Sequence, residues 1–488
     1  MPLKAKILNP AVGGSAKMST EAQIPREQPG DEEDDVLFNK LYGLRTIELN
    51  RPRKLNSLNG SMARKIIPRL KEWEKSQLAN VIVMKGAGDK AFCAGGDVAA
   101  LAQYNTEGAQ GQQKSTDYFA LEYQLDHLIA TYPKPYVAFM DGITMGGGVG
   151  LSVHAPFRIA TERTVFAMPE TTIGFFPDVG GSFFLSRLDG QMGAYLALTS
   201  ERLTGVNVFY NNIATHYLHS SSLPDLESRL AELTFKDYDT LPERLAIIDS
   251  TISEFSTGLP HDVPVFPSGS LRATIDECFQ SAKMTQILSS LENEASSGAN
   301  REWARKTLGT LTQRSPTSVR VALRALKLGR NWGIAETFER EHAIAARFMA
   351  HPDFVEGVSA RLIRKPAQTP KWDPPTLAEV TDEQVDHFFD HQGLQRLQLL
   401  NSPQQGRDGG AGWKDYPHWQ VERPGEGIGL PRESEIQTVL KRNPAMGPRE
   451  VVEWFVMQKN GAQGVREKVE EVLARKTVVG EDGQCVWQ

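Results

Sequence analysis

The sequence predicts an α/β protein in which buried strands alternate with helices, followed by a mainly helical region and a small C-terminal extension. Three observations support this fold class. Short apolar runs alternate with segments of helical spacing, two glycine-rich loops directly follow such runs, and helical stretches dominate beyond Phe209. The 488 residues exceed what one core usually holds, so two or three domains are expected.

The individual elements follow from the spacing of apolar residues. The pattern predicts strands over 44–50, 81–84 and 136–139. It predicts helices over about 61–73 and about 115–131, the second ending before Pro133. Pro68 is expected to kink or interrupt the first helix because it cannot donate the helical hydrogen bond. Helical spacing returns near the C-terminus, over 433–440 and 450–459.

Composition divides the chain into four regions. The stretch before residue 36 ends in an acid run, 31–35, and has few apolar residues to bury. Proline-rich interruptions at 259–267 and 366–375, and a polar, glycine-rich stretch at 402–431, are typical of linkers. The expected regions are a disordered lead-in or presequence (1–35), an α/β core (36–230), a helical region (231–375) and a separate C-terminal extension (376–488).

Composition and motifs exclude several classes of function. The chain has 54 Lys and Arg residues and 60 Asp and Glu residues, so its formal net charge of −6 offers no cationic excess for nucleic-acid phosphates. No apolar run approaches the roughly 18 residues of a membrane helix. The three cysteines lack CxxC pairing, and His387 and His391 lie in an acidic helical pattern typical of a solvated face, so no metal site is expected. Phosphate-loop, serine-hydrolase and dinucleotide-binding motifs are missing.

Two glycine-rich loops directly follow predicted strands. Residues 91–97 read AFCAGGD, and residues 141–150 read DGITMGGGVG. Glycines at the start of a helix leave N–H groups unpaired and sterically open, so these groups can donate to a developing oxyanion. One N–H from each loop would form an oxyanion hole. Glycines that only allow close packing would give the same pattern.

Three carboxylates lie in apolar sequence surroundings. Residues 168–181 read MPETTIGFFPDVGG, in which Glu170 and Asp178 lie among aromatic and aliphatic residues. Such surroundings raise a carboxyl pKa and suit the group to proton transfer, although a glutamate before a turn is commonly just exposed. Glu122 lies on a helical stripe with Tyr118 and Leu125, where a charge must find a partner or line a cavity.

These loops together resemble those of the crotonase (enoyl-CoA hydratase/isomerase) superfamily, and within it the 3-hydroxyisobutyryl-CoA hydrolase group. The similarity spans roughly residues 36–375 and includes HPDFVEG at 351–357. The resemblance implies a crotonase-like spiral of ββα units that the helical region completes. It also implies an acyl-CoA thioester substrate hydrolysed in valine catabolism, with CoA as part of the substrate and no cofactor.

The resemblance assigns the substrate carbonyl to backbone donors. It places the thioester oxygen between the N–H groups of Ala94 and Gly147 and makes Gly146 part of the substrate-binding loop. Hydratases of the superfamily bring a second glutamate to the position of Gly150, so Glu170 alone remains here. One carboxylate and an oxyanion hole favour hydrolysis over addition of water to a double bond.

The resemblance also gives the carboxylates their roles. Glu170 would act as general base for water or as a nucleophile that forms a mixed anhydride, and the sequence does not choose between these routes. Asp178 is the second catalytic residue, close to the substrate hydroxyl or the attacking water. Glu122 and Asp178 would bind or orient the substrate. How strictly the site prefers 3-hydroxyisobutyryl-CoA over 3-hydroxypropionyl-CoA stays open.

The C-terminal extension indicates a second function. Around Trp413, Trp419 and 431–454 it resembles the extension of fungal members of the group, some of which are constituents of the mitochondrial small ribosomal subunit. Packing on its own core or on a second copy explains the extension equally well, and the oligomeric state stays open. A mitochondrial location is expected. The first 17 residues contain three lysines and no acid, as in a presequence, although they lack arginine.

Overall fold

The computed structural model describes residues 23–401, 424–480 and 482–488. The strands are β1 (Val36–Leu41), β2 (Leu44–Leu49), β3 (Val81–Gly86), β4 (Ala91–Cys93), β5 (Tyr136–Met140), β6 (Ile143–Met145), β7 (Phe157–Ala160), β8 (Val165–Ala167), β9 (Leu203–Thr204), β10 (His216–Tyr217), β11 (Thr477–Val479) and β12 (Cys485–Trp487).

The helices are α1 (Gly60–Lys75), α2 (Val98–Asn105), α3 (Ala109–Ala130), α4 (Gly147–Val153), α5 (Gly181–Phe184), α6 (Met192–Thr199), α7 (Val206–Tyr210), α8 (Leu223–Ala231), α9 (Leu241–Ser253), α10 (Gly269–Cys278), α11 (Met284–Ser297), α12 (Arg301–Leu311), α13 (Pro316–Gly329), α14 (Ile334–Ala350), α15 (Pro352–Val358), α16 (Asp382–Phe389), α17 (Glu433–Arg442), α18 (Pro448–Gln458) and α19 (Val465–Lys476).

The larger sheet contains six strands in the order β1-β2-β3-β5-β7-β10. β1 pairs antiparallel with β2, and every other neighbouring pair is parallel. In β3, Ile82 and Met84 pack with α1 and α3 on one face, while Val81 and Val83 pack with α8 and α9 on the other. Burial on both faces explains why this strand is a continuous apolar run in the sequence.

A smaller sheet has the order β4-β6-β8-β9, with β4, β6 and β8 parallel. Consecutive strands lie in different sheets in three pairs: β3 and β4, β5 and β6, and β7 and β8. The first strand of each pair belongs to the larger sheet and the second to the smaller sheet. A helical segment follows each second strand: α2 and α3, then α4, then the short 3₁₀ helix Glu170–Ile173. These are the expected ββα units.

The predicted elements form with small changes at their ends. The strands predicted over 44–50, 81–84 and 136–139 are β2, β3 and β5. The helix predicted over 115–131 starts six residues earlier, since α3 begins at Ala109. α1 runs through Pro68 without interruption, so the expected break does not occur. The near-C-terminal helices are α17 and α18.

The C-terminal region is not the separate unit that was expected. Val451, Phe455 and Val469 belong to the same hydrophobic cluster as Phe279 and Tyr195 of the central region. Buried charges connect them as well, because Lys468 forms an ion pair with Asp189 at 2.9 Å and Arg475 one with Asp276 at 3.3 Å. The described part of the extension therefore shares the main core. Trp413 and Trp419 lie outside the described residues.

The acid run before β1 also differs from the expectation of a disordered lead-in. Asp31 pairs with Arg64 and Asp35 pairs with Lys65, both cations lying on α1. Glu32 pairs with Arg51 at 3.0 Å. Ion pairs, rather than apolar contacts, hold this stretch to the core. The low content of apolar residues therefore did not indicate that the stretch is ordered. The lysines of residues 1–17 lie outside the described residues.

Among the described residues, no helix combines the length and the apolar character needed to cross a membrane.

Candidate active site

The smaller sheet brings the three sequence motifs to one place. Because β4, β6 and β8 are adjacent and parallel, their carboxyl ends lie side by side at one edge. The loop 94–97 follows β4, Gly146 and Gly147 follow β6, and Glu170 follows β8. A Cβ atom on Gly95 would lie 3.4 Å from the carbonyl oxygen of Met145, so the first two loops are in contact.

The geometry supports Gly147 as an oxyanion donor and corrects the expectation for Ala94. Gly147 is the first residue of α4, so its N–H has no partner within the helix. The N–H of Ala94 instead donates to the carbonyl oxygen of Leu55 at 3.0 Å. The amide nitrogen of Gly96 lies 3.3 Å from the position that a Cβ on Gly147 would take. Its N–H donates to no group among the described residues. Gly96, rather than Ala94, therefore has an unused N–H group beside Gly147.

Glu170 borders this pair of donors. Its Oε1 atom lies 3.0 Å from the position of a Cβ on Gly146. The side chain is buried, and its Oε2 atom has no hydrogen-bond partner among the described residues. Burial raises the pKa of Glu170 well above its ordinary value, and the charges of Asp178 and Glu122 add to the increase. The structure thus presents a buried carboxyl group, with one unpartnered oxygen, beside the glycine loop.

Asp178 lies in a turn between the 3₁₀ helix and α5. The hydroxyl of Tyr123 donates to its Oδ2 atom at 2.6 Å. Burial raises the pKa of Asp178 to about 7, against the opposing effect of the Tyr123 hydrogen bond. A carboxyl group with such a pKa changes its ionisation near neutral pH, which suits it to orient a hydroxyl group or a water molecule.

Glu122 projects from α3 toward the glycine loops. A Cβ atom on Gly147 would overlap its Oε1 atom, which has no hydrogen-bond partner among the described residues. Burial and the charge of Asp178 raise its pKa well above the ordinary value. The sequence predicted that Glu122 finds a partner or lines a cavity. In the structure, its carboxyl group contacts the glycine loop at Gly147.

One turn further along α3, Asp126 lies beside Gly150. A Cβ atom on Gly150 would lie 2.5 Å from Asp126 Oδ2 and 2.8 Å from the Cβ atom of Val179. Asp126 is fully buried, and burial together with the charge of Glu122 raises its pKa well above the ordinary value. The space beside Gly150 is therefore occupied, and a larger side chain at this position would have to displace Asp126 or Val179.

Sequence reasoning missed Asp126, Tyr123 and Glu341. Glu341 of α14 is fully buried and accepts hydrogen bonds from the N–H groups of Gly180 and Ser182, in the turn after Asp178. Burial raises its pKa to about 8. Glu341 lies on the same apolar helical stripe as Phe338 and Ala345, a signal like the one that singled out Glu122.

A cavity of about 780 Å³ opens beside the Gly96 loop. Tyr118 lines this cavity, and its hydroxyl donates to the carbonyl oxygen of Leu58 at 3.2 Å. Cations line it as well and are paired with acids: Lys54 pairs with Asp97 at 3.2 Å, and Lys114 pairs with Glu107 at 3.1 Å. The cavity is therefore a candidate binding region of mixed charge.

Similarity to known proteins shows which family the chain belongs to. Residues 44–389 match the family model for enoyl-CoA hydratase/isomerase. The chain belongs to this family. A solved member, a carnitinyl-CoA dehydratase from Mycobacterium thermoresistibile, is 30% identical and covers 75% of this chain and 99% of its own, with a TM-score of 0.64. The crotonase-like fold expected from the sequence is confirmed.

Two groups of relatives carry different names within this family. A Neurospora crassa protein named small ribosomal subunit protein mS47 is 56% identical over 451 residues, which cover 91% of this chain and 85% of that protein. A Gallus gallus protein named 3-hydroxyisobutyryl-CoA hydrolase, mitochondrial, is 43% identical over 369 residues, covering 76% of this chain and 92% of that protein. The expected resemblance to the hydrolase group and its fungal branch is confirmed.

Proposed function

We propose that this chain hydrolyses the thioester of 3-hydroxyisobutyryl-CoA to 3-hydroxyisobutyrate and free CoA. One observation carries the proposal: Glu170 is a buried carboxyl group with an unpartnered Oε2 atom beside Gly146 of the glycine loop, while Asp126 and Val179 occupy the space beside Gly150. Hydration of a double bond needs an acid and a base on the same water, whereas thioester hydrolysis needs one carboxylate and a stabilised oxyanion.

In the proposed reaction, the thioester oxygen accepts hydrogen bonds from the N–H groups of Gly96 and Gly147 as it gains negative charge. One such donor is worth roughly 2.7–4 kcal/mol, or about 10²–10³ in turnover. Glu170 either takes a proton from the attacking water or attacks the carbonyl carbon itself to form a mixed anhydride. In the first route, the C–S bond breaks as Glu170 passes the proton taken from water to the CoA sulfur. In the second route, the C–S bond breaks as the anhydride forms, and water then hydrolyses the anhydride, which releases 3-hydroxyisobutyrate, restores the Glu170 carboxylate and supplies the proton for the CoA thiolate. Both routes start from ionised Glu170.

Asp178 and Glu122 serve the acyl end of the substrate in this proposal. Asp178, fixed by Tyr123, orients the 3-hydroxyl group or the attacking water. Glu122 supports the oxyanion loop, which it contacts at Gly147. We place the phosphates of CoA at the cavity beside the Gly96 loop, which Lys54 and Lys114 line. The mitochondrion is the compartment we infer, in agreement with the name of the Gallus gallus relative.

The deciding experiment compares wild type and Glu170→Gln with 3-hydroxyisobutyryl-CoA and follows free thiol release. We expect release by wild type, and a loss of turnover in the variant that far exceeds any loss of CoA-ester affinity measured by calorimetry. Equal turnover in both proteins would overturn the mechanism. Hydration of an enoyl-CoA by wild type would instead favour a hydratase.

A second function is supported by the fungal relative. The protein named mS47 matches 91% of this chain, beyond the 76% matched by the hydrolase, so the similarity to it continues into the C-terminal region. We propose binding to the mitochondrial small ribosomal subunit, with or without hydrolysis. Co-sedimentation of the full chain with that subunit tests this role. Recovery only in the free protein fraction would exclude it.

A further inference from the structure

The turn that carries Asp178 has an unfavourable backbone. Val179 has a φ of +52°, in the left-handed region that β-branched residues rarely adopt. Its side chain is buried and fills the space beside Gly150. A residue in this conformation relaxes unless its surroundings hold it. The contacts around Val179 therefore determine where Asp178 points.

Glu341 supplies two of these contacts from a distant part of the chain. It lies on α14, about 160 residues after the turn, and is fully buried. Its Oε2 atom accepts from the N–H of Gly180 at 2.7 Å, and its Oε1 atom accepts from the N–H of Ser182 at 2.8 Å. Both oxygens are used. Gly180 directly follows the strained residue, and Ser182 lies two residues further on.

Other groups around the turn complete its support. Nε2 of His154 lies 2.7 Å from the carbonyl oxygen of Val179. A Cβ atom on Gly180 would overlap the ring of His154, so this residue has to be glycine. On the far side, Tyr123 holds Asp178 Oδ2 at 2.6 Å. Two groups thus bind the backbone of the turn, while one binds its catalytic carboxyl.

We propose that Glu341 is a positioning residue that locks the 177–182 turn and thereby holds Asp178 against Tyr123 at the acyl site. The role rests on the proposed hydrolysis, since Asp178 acts there on the substrate hydroxyl or the water. Glu341 itself touches no reacting atom. A glutamine at this position keeps the length of the side chain but places an NH₂ donor against one of the two N–H groups.

The test uses Glu341→Gln, Glu341→Asp and the control Glu336→Gln. Glu336 lies on the same helix, is exposed, and pairs with Arg340 at 2.8 Å. We expect Glu341→Gln to lose about 10–100-fold in kcat, the effect of a small misplacement at a reacting centre, with little change in KM. Glu341→Asp, which keeps both acceptor oxygens, should recover part of the loss. The control should match wild type.

A crystal structure of Glu341→Gln tests the same role without using activity. We expect Val179 to leave the left-handed region and the Tyr123–Asp178 hydrogen bond, 2.6 Å in wild type, to break. An unchanged turn overturns the proposal, as does a kcat equal to that of wild type. Loss of a cooperative thermal transition in both Glu341 variants also overturns it, because Glu341 would then hold the fold rather than the turn. Wild type that releases no thiol refutes hydrolysis, and the crystal structure still decides the role of Glu341.

Discussion

Replacing Gly147 with alanine adds one methyl group at the centre of the proposed oxyanion hole. That methyl would overlap Glu122 Oε1 and lie 3.3 Å from the amide nitrogen of Gly96. Glu122 is buried, so its carboxyl group has little room to move. The methyl therefore displaces Glu122 or the loop, and it stands where the thioester oxygen has to approach the two N–H donors.

The expected loss of turnover depends on how many N–H donors the methyl group disturbs. Loss of one oxyanion donor costs roughly 2.7–4 kcal/mol in transition-state free energy, so we expect kcat for 3-hydroxyisobutyryl-CoA to fall about 10²–10³-fold. Free thiol release measures kcat, and thermal unfolding reports whether the variant is folded. Disturbance of both donors would cost more than this range.

The matched control is Gly309→Ala. Gly309 lies in α12, and a Cβ atom there would have no neighbour within 4 Å. The same chemical change should stabilise this helix by about 0.5–1 kcal/mol and leave turnover unchanged. A Gly147→Ala protein that is folded and keeps turnover within about threefold of wild type would refute the oxyanion assignment, because one lost donor costs at least about 10².

Three further predictions follow. Both routes need ionised Glu170, and the pKa of Glu170 is raised well above its ordinary value of 4.5. We therefore expect turnover to increase with pH through a range well above pH 4.5, as measured in a pH–rate profile. An increase centred near pH 4.5 would contradict this prediction. Gly150→Glu should gain no hydratase activity with an enoyl-CoA and should lower the melting temperature, because its side chain meets Asp126 and Val179. Asp31→Asn should reduce stability at pH 7 by about 1 kcal/mol or less. The Arg64 hydrogen bond lowers the Asp31 pKa, so this difference should shrink as pH falls through that lowered value, and thermal unfolding at several pH values measures it.

Local sequence patterns were enough to predict the strands and the loops of the site. Continuous apolar runs predicted β3 and β5, because strands buried on both faces need apolar residues at every position. Glycine-rich loops after strands, together with Glu170, predicted the location of the site. Their convergence followed from the family resemblance, and the parallel order β4-β6-β8 shows its physical basis.

Which backbone and side-chain groups are available at the site depends on contacts between distant parts of the chain. Ala94 and Gly96 are two residues apart in the same loop, yet the first N–H is used by Leu55 and the second faces Gly147. Glu341 is hydrogen-bonded to Gly180 and Ser182, which lie 161 and 159 residues before it in the sequence. Asp31 is hydrogen-bonded to Arg64, 33 residues after it. Hydrogen bonds and ion pairs depend on direction and on partners distant in sequence, whereas local spacing reports only which residues are apolar or small.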